Sequence, residues 1–167
     1  MGLLIFIAAL ALAGLQVFVY YGDLPATLAT HFTVGGTPNG WMSREVFVAF
    51  YFGILLVILG SFVGVGALLE KKIGPHLVNI PNKQYWLAPE RAAETMKTLR
   101  QWMYAVGAFC AVFIIALYQM LIELNTSEKA PVLDEHAFLW GMGFFLAVMA
   151  VFTVGLLRRF RRPDPVA

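Results

Sequence analysis

Apolar side chains fill four long runs of the sequence, and shorter polar segments separate these runs. The runs cover residues 2–21, 46–69, 103–124 and 138–157. An α-helix needs about 20 apolar residues to cross a hydrocarbon core of roughly 30 Å, and each run has that length. No basic residue precedes the first run, so we expect a retained helix rather than a cleaved signal peptide. The pattern predicts an all-α membrane protein with four transmembrane helices in one domain.

The segment before the third run has a different periodicity. From Glu90 to Trp102, apolar side chains recur every three or four residues, and polar or charged side chains occupy the other face. This is the pattern of an amphipathic helix, and Pro89 suits its first turn. We therefore predict a short interfacial helix that lies at the membrane surface and leads into the third span.

The composition also indicates that lipid surrounds most of the chain. Of 167 residues, 60% are hydrophobic and 13% are charged, and the mean hydropathy is +0.74. Soluble domains are nearer a quarter charged, and so small a soluble protein could not bury this much apolar surface. The lipid bilayer is thus the first expected partner. The single cysteine, Cys110, excludes an internal disulfide and a cysteine-based metal cluster.

Basic residues are concentrated on one side of the predicted membrane. The first and third loops hold one each, Arg44 and Lys129, whereas the second loop and the tail hold the rest. Those ten are Lys71, Lys72, Lys83, Arg91, Lys97, Arg100, Arg158, Arg159, Arg161 and Arg162. By the positive-inside rule, both termini are predicted to be cytoplasmic and the first and third loops external. Acidic residues interleave with the basic ones, which argues against nucleic-acid binding.

The first loop covers residues 22–44, and its stretch from Asp23 to Ser43 is the least generic part of the chain. Pro25 fits the first turn of a short helix, predicted over 26–31. Gly35 and Gly36 allow positive φ angles, and residues 37–40 read as a tight turn in which Gly40 relieves strain. Such a segment is expected to be ordered, with Ser43 capping the second helix.

Polar residues in the outer loops and in the apolar runs leave two other functions open. His31, His136 and nearby carboxylates are suitable ligands for a divalent ion at the outer face, as a metal-dependent membrane enzyme would need. Glu123 and Gln119, together with Gln16, are polar groups in apolar runs, as a small carrier or channel would need. No ligand motif of tight spacing and no nucleophile–base pair accompanies them, so we expect no enzyme activity, no metal and no cofactor.

Three glycines in the second run share one helix face. Gly53, Gly60 and Gly64 follow one another at spacings of seven and four residues. Small residues at such spacing let a neighbouring backbone approach closely. The pattern predicts helix packing, either within this chain or against another protein.

The first loop also resembles a known pattern. Leu24 to Phe32 and Gly36 to Trp41 are similar to the LPxxIPxHF…GxPDGW motif of the SdpI-like family, whose N-terminal domain has no known function. Ala29 replaces the second proline of the motif, and Asn39 replaces its aspartate. The resemblance implies a multi-span protein of the bacterial cytoplasmic membrane. The named member of that family protects its producer from a secreted toxin, so immunity-like protection is one function that the resemblance implies.

Together these patterns predict a non-enzymatic integral membrane binding or accessory protein. It would present an ordered external loop to another membrane protein or to an external peptide. The candidate partner-binding residues are His31, Pro38, Asn39, Gly40, Trp41, Glu128, Asp134 and Glu135.

Overall fold

The structure is a computed structural model and describes residues 2–70 and 78–161. Helices form 72% of the described residues. Lys71, Lys72 and Arg162, counted above among the basic residues, lie outside the described ranges. The elements in chain order are α1 (Gly2–Tyr20), β1 (Thr27–Phe32), β2 (Pro38–Ser43), α2 (Arg44–Glu70), α3 (Lys83–Trp86), α4 (Ala92–Thr126) and α5 (Glu135–Arg159).

The four predicted apolar runs lie in α1, α2, α4 and α5. Each of these helices is long and apolar enough to cross a membrane. The predicted class, a helical membrane protein with four candidate spans, is therefore confirmed.

The predicted interfacial helix is not a separate element. Residues 92–126 form one helix of 35 residues, about 52 Å long, which continues the amphipathic segment directly into the apolar one. No glycine or proline lies at the junction to interrupt it. The apolar stripe of its first turns packs against the protein itself, since Leu99 joins a buried cluster with Val78, Ile80 and Phe160.

Three helices, α1, α2 and α4, enclose the main core. The inner face of α2 buries Phe47, Tyr51, Leu55 and Leu59, one side chain on each turn. The Tyr51 ring stacks on Tyr118 of α4, with centroids 4.0 Å apart. This packing ties α2 to α4 along most of the bundle.

The fourth long helix, α5, lies at the edge of this bundle. None of its residues is buried, and it meets α4 through aromatic rings. Phe145 stacks on Phe109 and Phe113, and Phe152 contacts Trp102 edge-on. The core that supports the loops is therefore built from three helices, with α5 attached to one side.

The three glycines predicted to pack helices face open space. A Cβ built on Gly53, Gly60 or Gly64 would have no atom of the described residues within 4 Å, so packing within this chain does not explain them. Other glycines mark the close contacts: a Cβ on Gly66 would meet Tyr104 at 2.3 Å, and one on Gly107 would meet Phe62 at 2.7 Å. Contact of the first three with another protein stays a prediction.

Candidate functional site: a hairpin held on the helix ends

The first loop folds as a β-hairpin, so the short helix predicted over 26–31 is wrong. β1 and β2 pair antiparallel, from Thr27 opposite Ser43 to Phe32 opposite Pro38. A helix of six residues gains too few hydrogen bonds to offset its nucleation. Pairing with a second strand supplies those bonds instead. The turn lies at Gly35 and Gly36, whose φ angles are 102° and 73° as the sequence predicted.

The tight turn predicted over residues 37–40 is also wrong. Pro38 begins β2, and the positive-φ glycines of the described chain do not include Gly40. Gly40 lies opposite His31 in the register, and a Cβ on it would come within 3.0 Å of the His31 Cβ. Glycine is needed there because the histidine side chain packs against the strand, not because of the backbone angle.

A side-chain amide from α4 fixes the hairpin to the bundle. Asn125 accepts a hydrogen bond from the Ala29 N–H at 2.8 Å and donates one to the Ala29 carbonyl at 3.0 Å. Its Nδ2 also donates to the Leu121 carbonyl at 2.8 Å. Leu28 is fully buried beside this clamp. One face of β1 is thus seated on the ends of the helices.

Two further contacts position the hairpin. Arg44 donates to the carbonyls of Leu24, at 3.2 Å, and Tyr21, at 3.4 Å, and its guanidinium lies over the Tyr21 ring. At the other end, the Leu133 N–H donates to the Gly36 carbonyl at 2.9 Å. This bond joins the first loop to the third, which agrees with the prediction that both loops lie on one side of the protein. We call this end of the bundle the hairpin face.

The predicted binding residues of β1 and β2 are largely at the surface. His31 and Asn39 are exposed, Pro38 and Gly40 are half-buried, and 57% of Trp41 is exposed. The His31 Nδ1 lies 3.1 Å from the hydroxyl of its neighbour Thr30. The hairpin therefore offers an ordered surface.

The three acidic residues of the third loop have different environments. Glu128 is exposed. Asp134 caps α5 by accepting from the Ala137 N–H at 3.0 Å. Glu135 lies beside the hairpin turn, and its Oε1 is buried with no hydrogen-bond partner among the described residues. Of the predicted acidic strip, Glu135 thus borders the hairpin and Asp134 has a structural role in capping α5.

A chain of polar side chains runs through the three-helix core. The Gln16 Nε2 donates to the Gln119 Oε1 at 2.7 Å and to the Ile115 carbonyl at 3.3 Å, and the Tyr51 hydroxyl donates to the Gln16 Oε1. Gln119 in turn donates to Glu123 at 2.7 Å. The chain joins α1, α2 and α4 and ends at an exposed carboxylate.

Sequence reasoning named Gln16, Gln119 and Glu123 as one group, and the structure brings them together. It missed Asn125 and Tyr51. An asparagine at a helix end and a tyrosine in an apolar run are ordinary residues, and only the fold shows what they contact. Among residues 2–70 and 78–161, no three His, Cys, Asp or Glu side chains form a group that could hold a metal ion.

Comparison with known proteins gives one match. Residues 4–57 match the model of DUF1648, a domain of unknown function. The match covers most of α1, the hairpin and the first half of α2, which is about a third of the chain. No curated protein and no solved structure matches. The DUF1648 match includes the residues that carry the SdpI-like resemblance, Leu24 to Trp41. The chain is thus a helical, membrane-type protein with a domain of unknown function, and the SdpI-like resemblance stays a prediction.

Proposed function

We propose that this chain is a non-enzymatic binding protein of the bacterial cytoplasmic membrane. Both termini are cytoplasmic, and the hairpin face presents β1 and β2 to a protein or peptide outside. Immunity-like protection and service as an accessory subunit are two forms of this activity.

The observation that carries the proposal is the clamp between Asn125 and Ala29. It holds a two-stranded hairpin, which is marginally stable alone, on the helix ends. The outer positions of the held hairpin are exposed, including Val34 at 99% and Trp41 at 57%. A recognition surface that is ordered before binding loses less conformational entropy when a partner docks.

Site-specific photo-crosslinking in native membranes tests the proposal. A photoreactive side chain at Val34 samples the tip of the hairpin, and one at exposed Gln84 samples the opposite end of the bundle. We expect Val34 to give a discrete adduct that Gln84 does not give. Absence of any adduct specific to Val34 across growth conditions would contradict the proposal.

A second candidate function, a small carrier, is supported by the polar chain from Gln16 to Glu123. Polar groups in spans often mark ion or proton pathways. The same bonds also explain the chain as a link between helices, since both Gln16 donors and its acceptor are used. Proteoliposomes that carry a pH-sensitive dye distinguish the two roles. Proton flux that disappears in Glu123→Gln favours the carrier, and equal flux with and without protein contradicts it.

A further inference from the structure

The outer edge of β2 carries backbone groups that the fold leaves unpaired. In an antiparallel pair, residues alternate between those that bond across the pair and those whose N–H and C=O point away from it. The Ala29 N–H and C=O bond to Asn125, so they point away from β2. Trp41 lies opposite Ala29, and its own N–H and C=O therefore point away from β1.

A neighbouring contact confirms this alternation. The Arg44 N–H donates to the Ala26 carbonyl at 3.1 Å, so the pair next to Thr27–Ser43 is hydrogen-bonded across the strands. Because hydrogen-bonded and non-hydrogen-bonded pairs alternate, Thr27 and Ser43 form a non-hydrogen-bonded pair. The backbone groups of Ser43 thus point in the same direction as those of Trp41, away from β1. The Ser43 N–H therefore also points to the outer edge of β2.

This edge is open along a short length. The main element contacts of β2 are with β1 and α2, and outside the β1–β2 ladder no backbone hydrogen bond to Trp41 is found among the described residues. Register shifts next to His31 interrupt the ladder, and Pro38 has no N–H. The usable edge is therefore residues 40–43, which a strand of three or four residues would cover.

The charge around this edge is negative. The hairpin face carries six carboxylates and two basic side chains, and one of the two, Arg44, is already bound to backbone carbonyls. The carboxylates are Asp23, Glu45, Glu123, Glu128, Asp134 and Glu135. A cationic segment would be attracted to this face and an anionic one repelled.

We propose that the outer edge of β2, residues 40–43, pairs with an extended cationic peptide segment that adds a third strand to the hairpin. This inference rests on the proposed function and specifies its partner. One residue of the peptide bonds to the N–H and C=O of Trp41. The exposed indole of Trp41 contacts a basic side chain of the peptide, as lysine and arginine favour the faces of tryptophan rings.

The test uses backbone chemistry on the peptide, so the full-length protein stays unchanged. The protein is held in nanodiscs of zwitterionic phosphatidylcholine, and the probe is a nine-residue peptide of alternating valine and lysine. Two matched probes carry N-methyl groups on all lysines or on all valines, since an extended chain turns alternate N–H groups to opposite sides. A fourth probe replaces every lysine with glutamate.

We expect the parent peptide to bind, with an affinity that falls as salt is raised. One of the two methylated peptides should bind with roughly tenfold lower affinity, because it loses its hydrogen bonds to the edge of β2. The other should bind with an affinity within about threefold of the parent. The glutamate peptide should not bind. On the protein, Trp41→Ala should weaken binding more than Trp41→Phe, while Gln84→Ala, at the opposite end of the bundle, serves as an unaffected control.

Three results would overturn edge pairing: no binding of the parent peptide, equal binding of all methylated peptides, or equal binding of the glutamate peptide. None of these decides the proposed function, which the crosslinks at Val34 test separately. A discrete Val34 adduct combined with methylation-insensitive peptide binding would show that a partner docks through side chains instead.

Discussion

Asn125 hydrogen-bonds both backbone groups of Ala29, with the Ala29 N–H 2.8 Å from Oδ1 and the Ala29 carbonyl 3.0 Å from Nδ2. A primary amide has the same donor and acceptor pair as a peptide unit, so this side chain takes the place that a third strand would occupy beside β1. The hairpin is thereby joined to the end of α4, 96 residues away in sequence.

We expect Asn125→Asp to loosen the hairpin. A carboxylate still accepts from the Ala29 N–H but cannot donate to the carbonyls of Ala29 and Leu121. The loss should be about 1–3 kcal/mol, the usual effect of leaving buried acceptors unpaired. Hydrogen exchange at the amides of β1 measures it. Asn39→Asp makes the same chemical change at an exposed position, and equal exchange in the two variants would contradict the role of Asn125.

Gly36→Ala should be more damaging than Gly35→Ala. Both glycines have positive φ, so both substitutions carry backbone strain of about 1 kcal/mol or more. A Cβ on Gly36 would also lie 2.1 Å from the Leu133 carbonyl oxygen, whereas one on Gly35 meets only the Glu135 Oε1, at 3.9 Å. Thermal unfolding in detergent should separate the two variants, and equal midpoints would show that the hairpin does not contact the third loop.

Gln16→Leu should destabilise the helix bundle by about 1–2 kcal/mol, because Tyr51 and Gln119 lose their partner inside the core. Unfolding in mixed micelles measures this change. Gln101→Leu, at an exposed position of α4, is the control. Glu123→Gln keeps an acceptor for Gln119 and should unfold like the parent protein.

Gly107→Leu and Gly60→Leu should differ sharply in stability. The first forces a side chain against Phe62 and should cost about 1–3 kcal/mol through overpacking. The second points into open space and should stay within about 0.5 kcal/mol of the parent. If Gly60→Leu nevertheless alters a complex recovered from membranes, the effect lies in contact with another protein. Destabilisation of the isolated protein by Gly60→Leu would contradict this assignment.

The orientation can be tested by cysteine labelling in intact cells, with Cys110 replaced by alanine. We expect a single cysteine at Thr37, on the hairpin face, to react with an impermeant reagent. One at Gln84, at the opposite end, should react only after permeabilisation. The reverse pattern would invert the proposed topology.

The long elements were predictable because their signal is strong and local. The length and composition of the run 46–69 predict a membrane-spanning helix, and α2 covers these residues in the structure. The hairpin was not predictable from local pattern, because residues 26–31 suit a helix as well as a strand. The choice is decided by pairing with β2, the next strand along the chain, and by Asn125, which is 96 residues away from Ala29.

The glycines of the helices also show what a sequence pattern cannot predict. The spacing of Gly53, Gly60 and Gly64 places them on one face, which the structure agrees with, but spacing does not say what that face meets. Gly66 and Gly107, which have no such regular pattern, are the ones that admit Tyr104 and Phe62.

The bonding of Gln16 has a consequence for biogenesis. Among the described residues, both N–H groups of the Gln16 Nε2 donate to α4, at Ile115 and Gln119, so in a nascent chain that ends after α2 neither group has its partner. Tyr51 of α2 satisfies the oxygen but not these donors. The side-chain N–H groups of Gln16 in α1 therefore lack these partners until α4 has been synthesised. Gln16 thus couples the completion of the bundle to the arrival of α4.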